Sequence, residues 1–453
     1  MSIRFIQIFG VIYFLFYILL ALVYYMERVS MIDSAFQLFS IVRSEDLTIQ
    51  VNRYLAFFTQ IFPLIGVKLN FSLETIARIY SASFPIVYGI CYVFIAFVFK
   101  DRKNAILFLI YHFLIVGHSF YWPQCELVQG ISWFIVYVSF LEWQLVNSKK
   151  FYYLHLLNLG FVVSLVFMHP LILFIFSFYF FILFFEKPEY RRQYIFQIGI
   201  FIVISLLKKI FFENGYDNMF NDKLIHFFND FSQERKGLKI SVIYNKFILN
   251  FKFLVCAFIL TIGYLIYSKK FILSAILVVY SVSLILLIYI GYGMNMDLFY
   301  SEVQYNLIIF FMGCIFVFCL SINLNKNYHI GWLLLMFLAF NHRVTDLSHQ
   351  YTGRVNYLKE LIKEYHGQKV IKIANQNDFQ NLRLFWSSSF ETWLISTIIN
   401  GKSSSIIVVD NVGKYNKDMS ETDKWITIWE TICYDSLNPR YFKFRDAGTY
   451  IIK

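Results

Sequence analysis

The sequence is poor in charge and in the residues that interrupt regular structure. Proline and glycine contribute only 6 and 19 of the 453 residues, and Asp, Glu, Lys and Arg together make up 15%. The shortage of proline and glycine excludes collagen-like, low-complexity and linker-rich proteins. The six cysteines form no CxxC pair and no His-flanked metal spacing, so neither a disulfide framework nor a zinc site is supported.

Motifs of nucleotide-dependent and hydrolytic enzymes are also missing. The chain has no Walker loop, no GxGxxG that opens a helix after a strand, no GxSxG elbow and no HExxH pair. ATP-driven and dinucleotide chemistry therefore have no support. The net charge of +11 does not indicate nucleic acid, because the basic residues fall in short clusters between apolar runs, where they set membrane topology.

Apolar side chains are abundant. Hydrophobic residues make up 58% of the chain and aromatics 21%, and the mean hydropathy is +0.58. This composition predicts an integral membrane protein in contact with the lipid bilayer. Apolar runs of roughly the 20 residues that cross a bilayer predict eleven spans, at 5–25, 78–99, 104–121, 127–146, 152–168, 170–185, 194–211, 247–267, 271–291, 306–322 and 328–341. The shorter apolar run 54–67 predicts an interfacial or re-entrant segment.

The basic clusters predict the orientation of these spans. They occur in every second loop, as at Lys100, Arg102 and Lys103, and short basic loops stay on the cytoplasmic side. The intervening loops and the tail are then extracytoplasmic. The protein is predicted to be a multi-pass protein of the plasma (inner) membrane.

The end of the chain has a different character. Charges become frequent after residue 341, and three short apolar segments are typical of strands. These segments are residues 369–373, 405–409 and 449–453. The predicted fold is an all-α polytopic membrane domain of about eleven transmembrane helices over 1–341, with interfacial helices in its first outer loop (26–77), followed by a small α/β extracytoplasmic domain over 342–453.

Ionisable side chains beside apolar spans cost several kcal/mol unless they are paired or hydrated, so they mark candidate sites. Several such residues, from separate segments, fall on the predicted outer face. The catalytic candidates are the carboxylates Asp33 and Glu126. The candidate substrate-binding residues are Arg53, His118, His169, Glu302 and Arg354.

Each candidate also has a structural interpretation. Ser30 can cap an amphipathic helix, which makes Asp33 either a catalytic carboxylate or an ordinary acid of the first turn. Glu126 either serves a site or caps its span. The arginines could bind a phosphate in bidentate fashion or anchor the chain at the lipid interface. The histidines could bind phosphate, shuttle protons or form simple hydrogen bonds.

This layout resembles the GT-C superfamily of integral-membrane glycosyltransferases, which use polyprenyl-phosphate-linked sugars. The resemblance rests on the number of spans, Asp33 after span one, Glu126 at the hairpin of spans three and four, and the outer C-terminal domain. It implies inverting transfer of a hexosyl or pentosyl group to a glycan, lipid or protein acceptor on the extracytoplasmic face, with Asp33 as general base. It leaves a divalent metal, Mg²⁺ or Mn²⁺, open as a cofactor, because Ser34 follows Asp33 where the superfamily usually has a second acid.

Other classes of protein remain alternatives. A polysaccharide polymerase or ligase is also polytopic and faces outward, and is expected to place paired arginines in large outer loops. A transporter is expected to hold its ionisable residues near mid-membrane. A non-enzymatic scaffold of the cell envelope fits the composition equally well.

Overall fold

The structure is a computed structural model of the chain. It describes residues 3–147, 152–212, 251–292, 298–320, 326–415, 419–420, 422–444 and 448–453, with the single positions 215, 222 and 225. The described part is mostly helical and has a small sheet region near its C-terminal end.

The apolar part of the chain is built from helices. They are α1 (Ile3–Val23), α2 (Tyr25–Val29), α3 (Ile32–Ser44), α4 (Phe57–Lys68), α5 (Leu73–Val93), α6 (Arg102–Leu114), α7 (His118–Tyr121), α8 (Glu126–Val146), α9 (Tyr152–Met168), α10 (Ile172–Glu186), α11 (Arg191–Phe211), α12 (Lys252–Tyr267), α13 (Phe271–Tyr292) and α14 (Leu298–Ile315). Local side-chain caps begin two of them, because Ser72 accepts the Thr75 N–H and Asp101 accepts the Asn104 N–H.

Four described helical segments are long and apolar enough to cross a membrane. They are Ile3–Val23, Leu73–Val98, Pro188–Phe211 and Phe271–Ile290. This finding identifies a membrane protein, and the total of eleven crossings stays a prediction. Many outward side chains of these helices are apolar and exposed, as expected for lipid contact.

One predicted span differs from the structure. The predicted span 104–121 is wrong in its second half, because α6 ends at Leu114, the chain turns at 115–117 and α7 is a separate short helix. The segment 54–67 forms a single 3₁₀ turn followed by α4, which packs against α5. Its interfacial or re-entrant position in a membrane stays a prediction.

One long helix joins the apolar part to the tail. α15 (Lys326–Glu364) has 39 residues and runs without a break through the predicted boundary between residues 341 and 342. At 1.5 Å per residue it is about 58 Å long. The tail is therefore held on a rigid extension of the preceding helical part, with no linker between them.

The tail contains a three-stranded parallel sheet in the order β2, β1, β5. Its strands are β1 (Val370–Ile373), β2 (Ile406–Val409) and β5 (Ile451–Ile452), with Val370 opposite both Ile406 and Ile451. The helices α16 (Gln376–Leu382) and α17 (Ser388–Asn400) connect β1 to β2, and a separate antiparallel pair is formed by β3 (Lys424–Ile426) and β4 (Thr431–Cys433). Three of these strands lie where the sequence predicts them.

Helix α3 is buried between the apolar part and the tail. Its apolar side chains contact α4 on one side and α17 on the other. Phe39 lies in an aromatic cluster with Phe390, Trp393 and Trp425 of the tail. Ser30 does not cap α3: its hydroxyl donates to the Met26 carbonyl at 2.7 Å. The amphipathic stripe of α3 is therefore covered by protein.

Candidate functional site

Asp33 lies in the first turn of α3 and accepts a hydrogen bond. The indole Nε1 of Trp122 donates to Asp33 Oδ2 at 2.8 Å. Burial, and after it the neighbouring charge of Glu126, together raise the pKa of Asp33 to about 7, against the lowering effects of Trp122 and Arg53. Asp33 is therefore a carboxyl group that changes protonation state near neutral pH.

Residues of the tail hold the turn that precedes Asp33. Ile32 has a φ of +33°, a conformation that β-branched residues rarely adopt. Glu391 Oε1 accepts the Ile32 N–H at 2.9 Å, and Arg354 Nη1 donates to the Ser30 carbonyl at 3.2 Å. The strained backbone persists because these two side chains fix it from α17 and α15.

Glu126, the first residue of α8, forms an ion pair with Arg53. The distance from Arg53 Nη1 to Glu126 Oε2 is 2.9 Å, and the two side chains are 11% and 22% exposed. Two residues with positive φ, Val51 and Asn52, turn the chain just before Arg53. The side chain of Gln60 exchanges two hydrogen bonds with the Thr48 backbone, at 2.9 and 3.0 Å, and so ties this loop to α4.

His169 lies in the turn between α9 and α10, within the electrostatic influence of Arg53. Its Nδ1 accepts the Leu171 N–H at 3.1 Å, so the proton of the neutral ring is on Nε2. Burial lowers the pKa of His169 well below its usual range, and the charges of Arg53 and Lys208 lower it further. His169 is therefore a neutral donor at physiological pH.

Asp33, Glu126, Arg53 and His169 form one polar group, which we call the Asp33 site. Its members come from α3, the loop before α4, the start of α8 and the turn after α9. Electrostatic effects connect Asp33 with Glu126 and Arg53, and Arg53 with His169. The arrangement places a base that titrates near neutrality beside a fixed guanidinium, which suits proton removal next to a developing negative charge.

His118 and Glu302 belong to a neighbouring group that holds α7. Glu302 is 4% exposed, and its carboxylate accepts the backbone N–H groups of His118 and Ser119 at 3.1 and 3.0 Å. Arg343 donates to it at 3.3 Å. A Cβ at Gly117 would lie 2.5 Å from Glu302 Oε2, so only glycine fits there. Glu302 caps α7, and its contacts give it a structural role.

Arg354 pairs with a carboxylate of the tail. Its Nη2 donates to both carboxylate oxygens of Glu391 at 2.7 Å, and the two side chains are 5% and 0% exposed. Ser387 also donates to Glu391. Among the predicted phosphate ligands, Arg53 thus lies in the Asp33 site, whereas Arg354 supports the backbone that leads into it.

The sequence reasoning missed Trp122, Gln60 and Glu391 as parts of the site. Glu391 lies in the mostly apolar helix SSFETWLISTII and is fully buried. A carboxylate in an apolar helix indicates that it has a buried partner, such as an arginine or a helix N-terminus. The sequence does not identify which arginine or helix that partner is.

A resident divalent cation does not fit the described site. Mg²⁺ and Mn²⁺ need several oxygen ligands, whereas Glu126 pairs with Arg53 and Asp33 accepts from Trp122. No group of three or more His, Cys, Asp or Glu side chains converges anywhere in the described part of the chain.

Comparisons with protein-family models, curated proteins and solved structures found no match. The chemistry of the site is therefore inferred from its own geometry.

Proposed function

We propose that this protein is a membrane glycosyltransferase of the GT-C type, which transfers a sugar from a polyprenyl-phosphate donor to an acceptor on the extracytoplasmic face. The observation that carries the proposal is Asp33, a half-buried carboxyl group with a pKa of about 7 beside the Arg53–Glu126 ion pair. A general base works best when its pKa is near the working pH.

In the proposed reaction the acceptor hydroxyl attacks the anomeric carbon. The new C–O bond forms as the bond between that carbon and the phosphate oxygen breaks, and its electron pair leaves with the polyprenyl phosphate. Asp33 takes the acceptor proton. The positive charge of Arg53, oriented by Glu126, stabilises the leaving phosphate, and His169 Nε2 supplies a neutral N–H donor beside it.

The location of the site supports a lipid-linked donor. Asp33 follows closely after α1 (Ile3–Val23), one of the four described helices that are long and apolar enough to cross a membrane, so the site lies near the end of a candidate span. A donor whose sugar lies at the membrane surface needs no nucleotide pocket. An extracytoplasmic location and the plasma membrane are part of the proposal.

The test uses purified full-length protein and a panel of short-chain polyprenyl-phosphate-linked hexoses and pentoses. Release of polyprenyl monophosphate is measured by mass spectrometry. Asp33→Asn is expected to reduce release by about 100-fold or more, because general-base catalysis contributes about 10²–10⁴. Asp46→Asn, at an exposed acid close along the chain, is the matched control and should keep wild-type release.

Two outcomes would contradict the proposal. One is full release by Asp33→Asn, and the other is no release from any donor by the wild-type protein. The second outcome would favour the scaffold or transporter interpretation.

A further inference from the structure

One side of α3 is accessible, and Asp33 lies at its beginning. From Ile32 to Arg43, the residues of α3 that are not buried are Asp33, Phe36, Ser40 and Arg43. Their spacings of three and four residues place them on one side of the helix, which we call the open face of α3. At 1.5 Å per residue it extends about 15 Å from Asp33 to Arg43. The open face is therefore a narrow accessible strip that leads away from the Asp33 site.

Two indole rings of the tail lie beside this open face. The ring of Phe36 contacts those of Trp386 and Trp429, with centroids 6.0 and 4.6 Å apart. The two indole centroids are 5.1 Å apart, and their planes make an angle of 43°. Trp429 is 59% exposed, and Trp386 is half-buried. Three aromatic rings therefore form one accessible surface, which begins one helical turn from Asp33.

Trp429 is held in the turn between β3 and β4. The Thr427 N–H donates to the Glu430 carbonyl at 2.9 Å, and the Glu430 N–H donates to Thr427 Oγ1 at 3.2 Å. These hydrogen bonds close the turn and fix the position of Trp429. An indole has a large apolar surface, and its burial is strongly favourable. A contiguous aromatic surface that stays exposed on a fixed turn is typical of a binding site.

One carboxylate positions Trp386 and Asp33 relative to each other. Glu391 Oε1 accepts the Ser387 hydroxyl at 2.7 Å and the Ile32 N–H at 2.9 Å. Ser387 follows Trp386 along the chain, and Ile32 precedes Asp33. The loop that carries Trp386 and the turn that carries Asp33 therefore meet at the same oxygen atom, and the aromatic surface continues into the Asp33 site.

An ion pair lies at the far end of the open face. Arg43 donates to both carboxylate oxygens of Glu430, to one through Nη1 and to the other through Nη2 at 3.2 Å. The two side chains are 33% and 48% exposed. A guanidinium has several N–H donors and a carboxylate several lone-pair sites, so both groups can form further hydrogen bonds while they are paired.

Aromatic rings combined with these polar groups favour a chain of sugar rings as the occupant. A sugar ring has C–H groups on its faces, which pack on indole rings, and hydroxyl groups around its edge, which bond to charged side chains. A hydrocarbon chain would desolvate the pair of Arg43 and Glu430, which is costly. The strip is one helix face wide, whereas a folded protein partner needs about 800 Å² on each side.

We propose that the open face of α3, together with Trp386 and Trp429, binds a chain of sugar rings whose end reaches Asp33. The rings stack on the aromatic surface, and Arg43 and Glu430 bind the hydroxyl groups of the chain. The role of this chain as the acceptor rests on the proposed transferase function, and it selects a glycan from the possible glycan, lipid and protein acceptors. The binding of the chain does not depend on that function.

The test measures binding of oligosaccharides to the full-length protein by isothermal titration calorimetry, without any donor. The probes are maltohexaose, cellohexaose and chitohexaose, and the monosaccharide controls are glucose and N-acetylglucosamine. The detergent is lauryldimethylamine oxide, which has no sugar head group that competes. At least one hexasaccharide is expected to bind about tenfold or more tightly than its monosaccharide, because it contacts several groups along the strip.

Variants of Trp429 place the binding on this surface. Trp429→Ala should weaken hexasaccharide binding about tenfold, whereas Trp429→Phe keeps an aromatic face and should weaken it about threefold or less. The matched control is Trp332→Ala on α15, at an indole that is 46% exposed and lies outside the open face. It should leave binding unchanged. In the donor-release assay the bound hexasaccharide should act as acceptor, and Trp429→Ala should raise its KM.

Two results would overturn the proposal: no binding of any hexasaccharide by the wild-type protein, and hexasaccharide binding that Trp429→Ala leaves unchanged. If that variant keeps binding but lowers the Tm in lipid nanodiscs and not in detergent, Trp429 is an anchor at the bilayer interface. Failures of the two proposals are distinguishable. Hexasaccharide binding without donor release contradicts the transferase alone, and donor release without hexasaccharide binding contradicts the sugar-chain site alone.

Discussion

The two ends of α8 carry carboxylates in different surroundings. At one end Glu126 pairs with Arg53 beside the second carboxylate Asp33, and at the other end Glu142 pairs with Lys187 at 2.5 Å. The end of α8 that carries Glu142 lies near basic loops, whereas acidic side chains cluster at the end near Asp33.

The acids at the Asp33 end differ in how they are compensated. Glu126, Glu302 and Glu391 each have an arginine partner, whereas the described contact of Asp33 is the neutral indole of Trp122. A carboxyl group that is desolvated without a direct cation partner is costly to ionise. The comparison teaches that the acids with an arginine partner have structural roles. The incompletely compensated acid, Asp33, is the candidate for catalysis.

Removing a positive charge at each of the two ends of α8 should give the largest difference in donor cleavage between variants. Arg53→Ala is expected to reduce donor cleavage about 10²–10³-fold, because it removes the charge that stabilises the leaving phosphate. Lys187→Ala, the matched deletion at the Glu142 end, should stay within about twofold of wild type. The measurement is release of polyprenyl monophosphate, and equal losses in the two variants would remove the functional distinction between the ends.

Breaking the buried ion pair of the tail should give the next largest effect. Glu391→Ala leaves Arg354 buried without its partner and removes the acceptor of the Ile32 N–H, at an expected cost of about 3–5 kcal/mol of unfolding free energy. Glu74→Gln breaks the exposed pair with Arg78 and should cost about 0–1 kcal/mol. Denaturant unfolding in detergent measures both. Similar small losses would show that the tail does not hold the turn before Asp33.

The pH dependence of activity should follow Asp33. The base must be ionised, so the rate is expected to be low well below pH 7 and to rise as the pH passes through about 7. Glu126→Gln removes the neighbouring negative charge and should move the midpoint to lower pH, whereas Glu74→Gln should leave it in place. A midpoint that does not respond to Glu126→Gln would assign the titration to another group.

The smallest expected effect is a gain in stability. The folded-state pKa of Asp33, about 7, is above its ordinary value, so ionisation of this group opposes folding and stability falls as pH rises toward 7. Asp33→Asn should therefore raise the Tm by a few degrees at pH 8 and by less at pH 5. A Tm that falls equally at both pH values would indicate that Asp33 is a structural acid.

Sequence reasoning succeeded where local pattern carries the information. Most of the apolar runs coincide with helices where the structure describes them, and the segments 369–373, 405–409 and 449–453 contain strands β1, β2 and β5. It failed where partners from distant segments decide the outcome. Ser30 has the chemistry of a helix cap, yet the N-terminus of α3 is held by Glu391, 359 residues away. Arg53 and Arg354 are both basic residues of predicted outer segments, so the sequence does not distinguish their roles. Only the side chains with which they pair distinguish those roles.

Composition and periodicity by themselves determined that this chain is a membrane protein, that it is mostly helical, and that its C-terminal region contains strands. These properties depend on the solvent preference and spacing of side chains, which are local. The tertiary structure alone decided which acid is compensated and which is not. That distinction depends on distances between side chains far apart along the chain, because burial and neighbouring charge set the cost of ionising a carboxyl group.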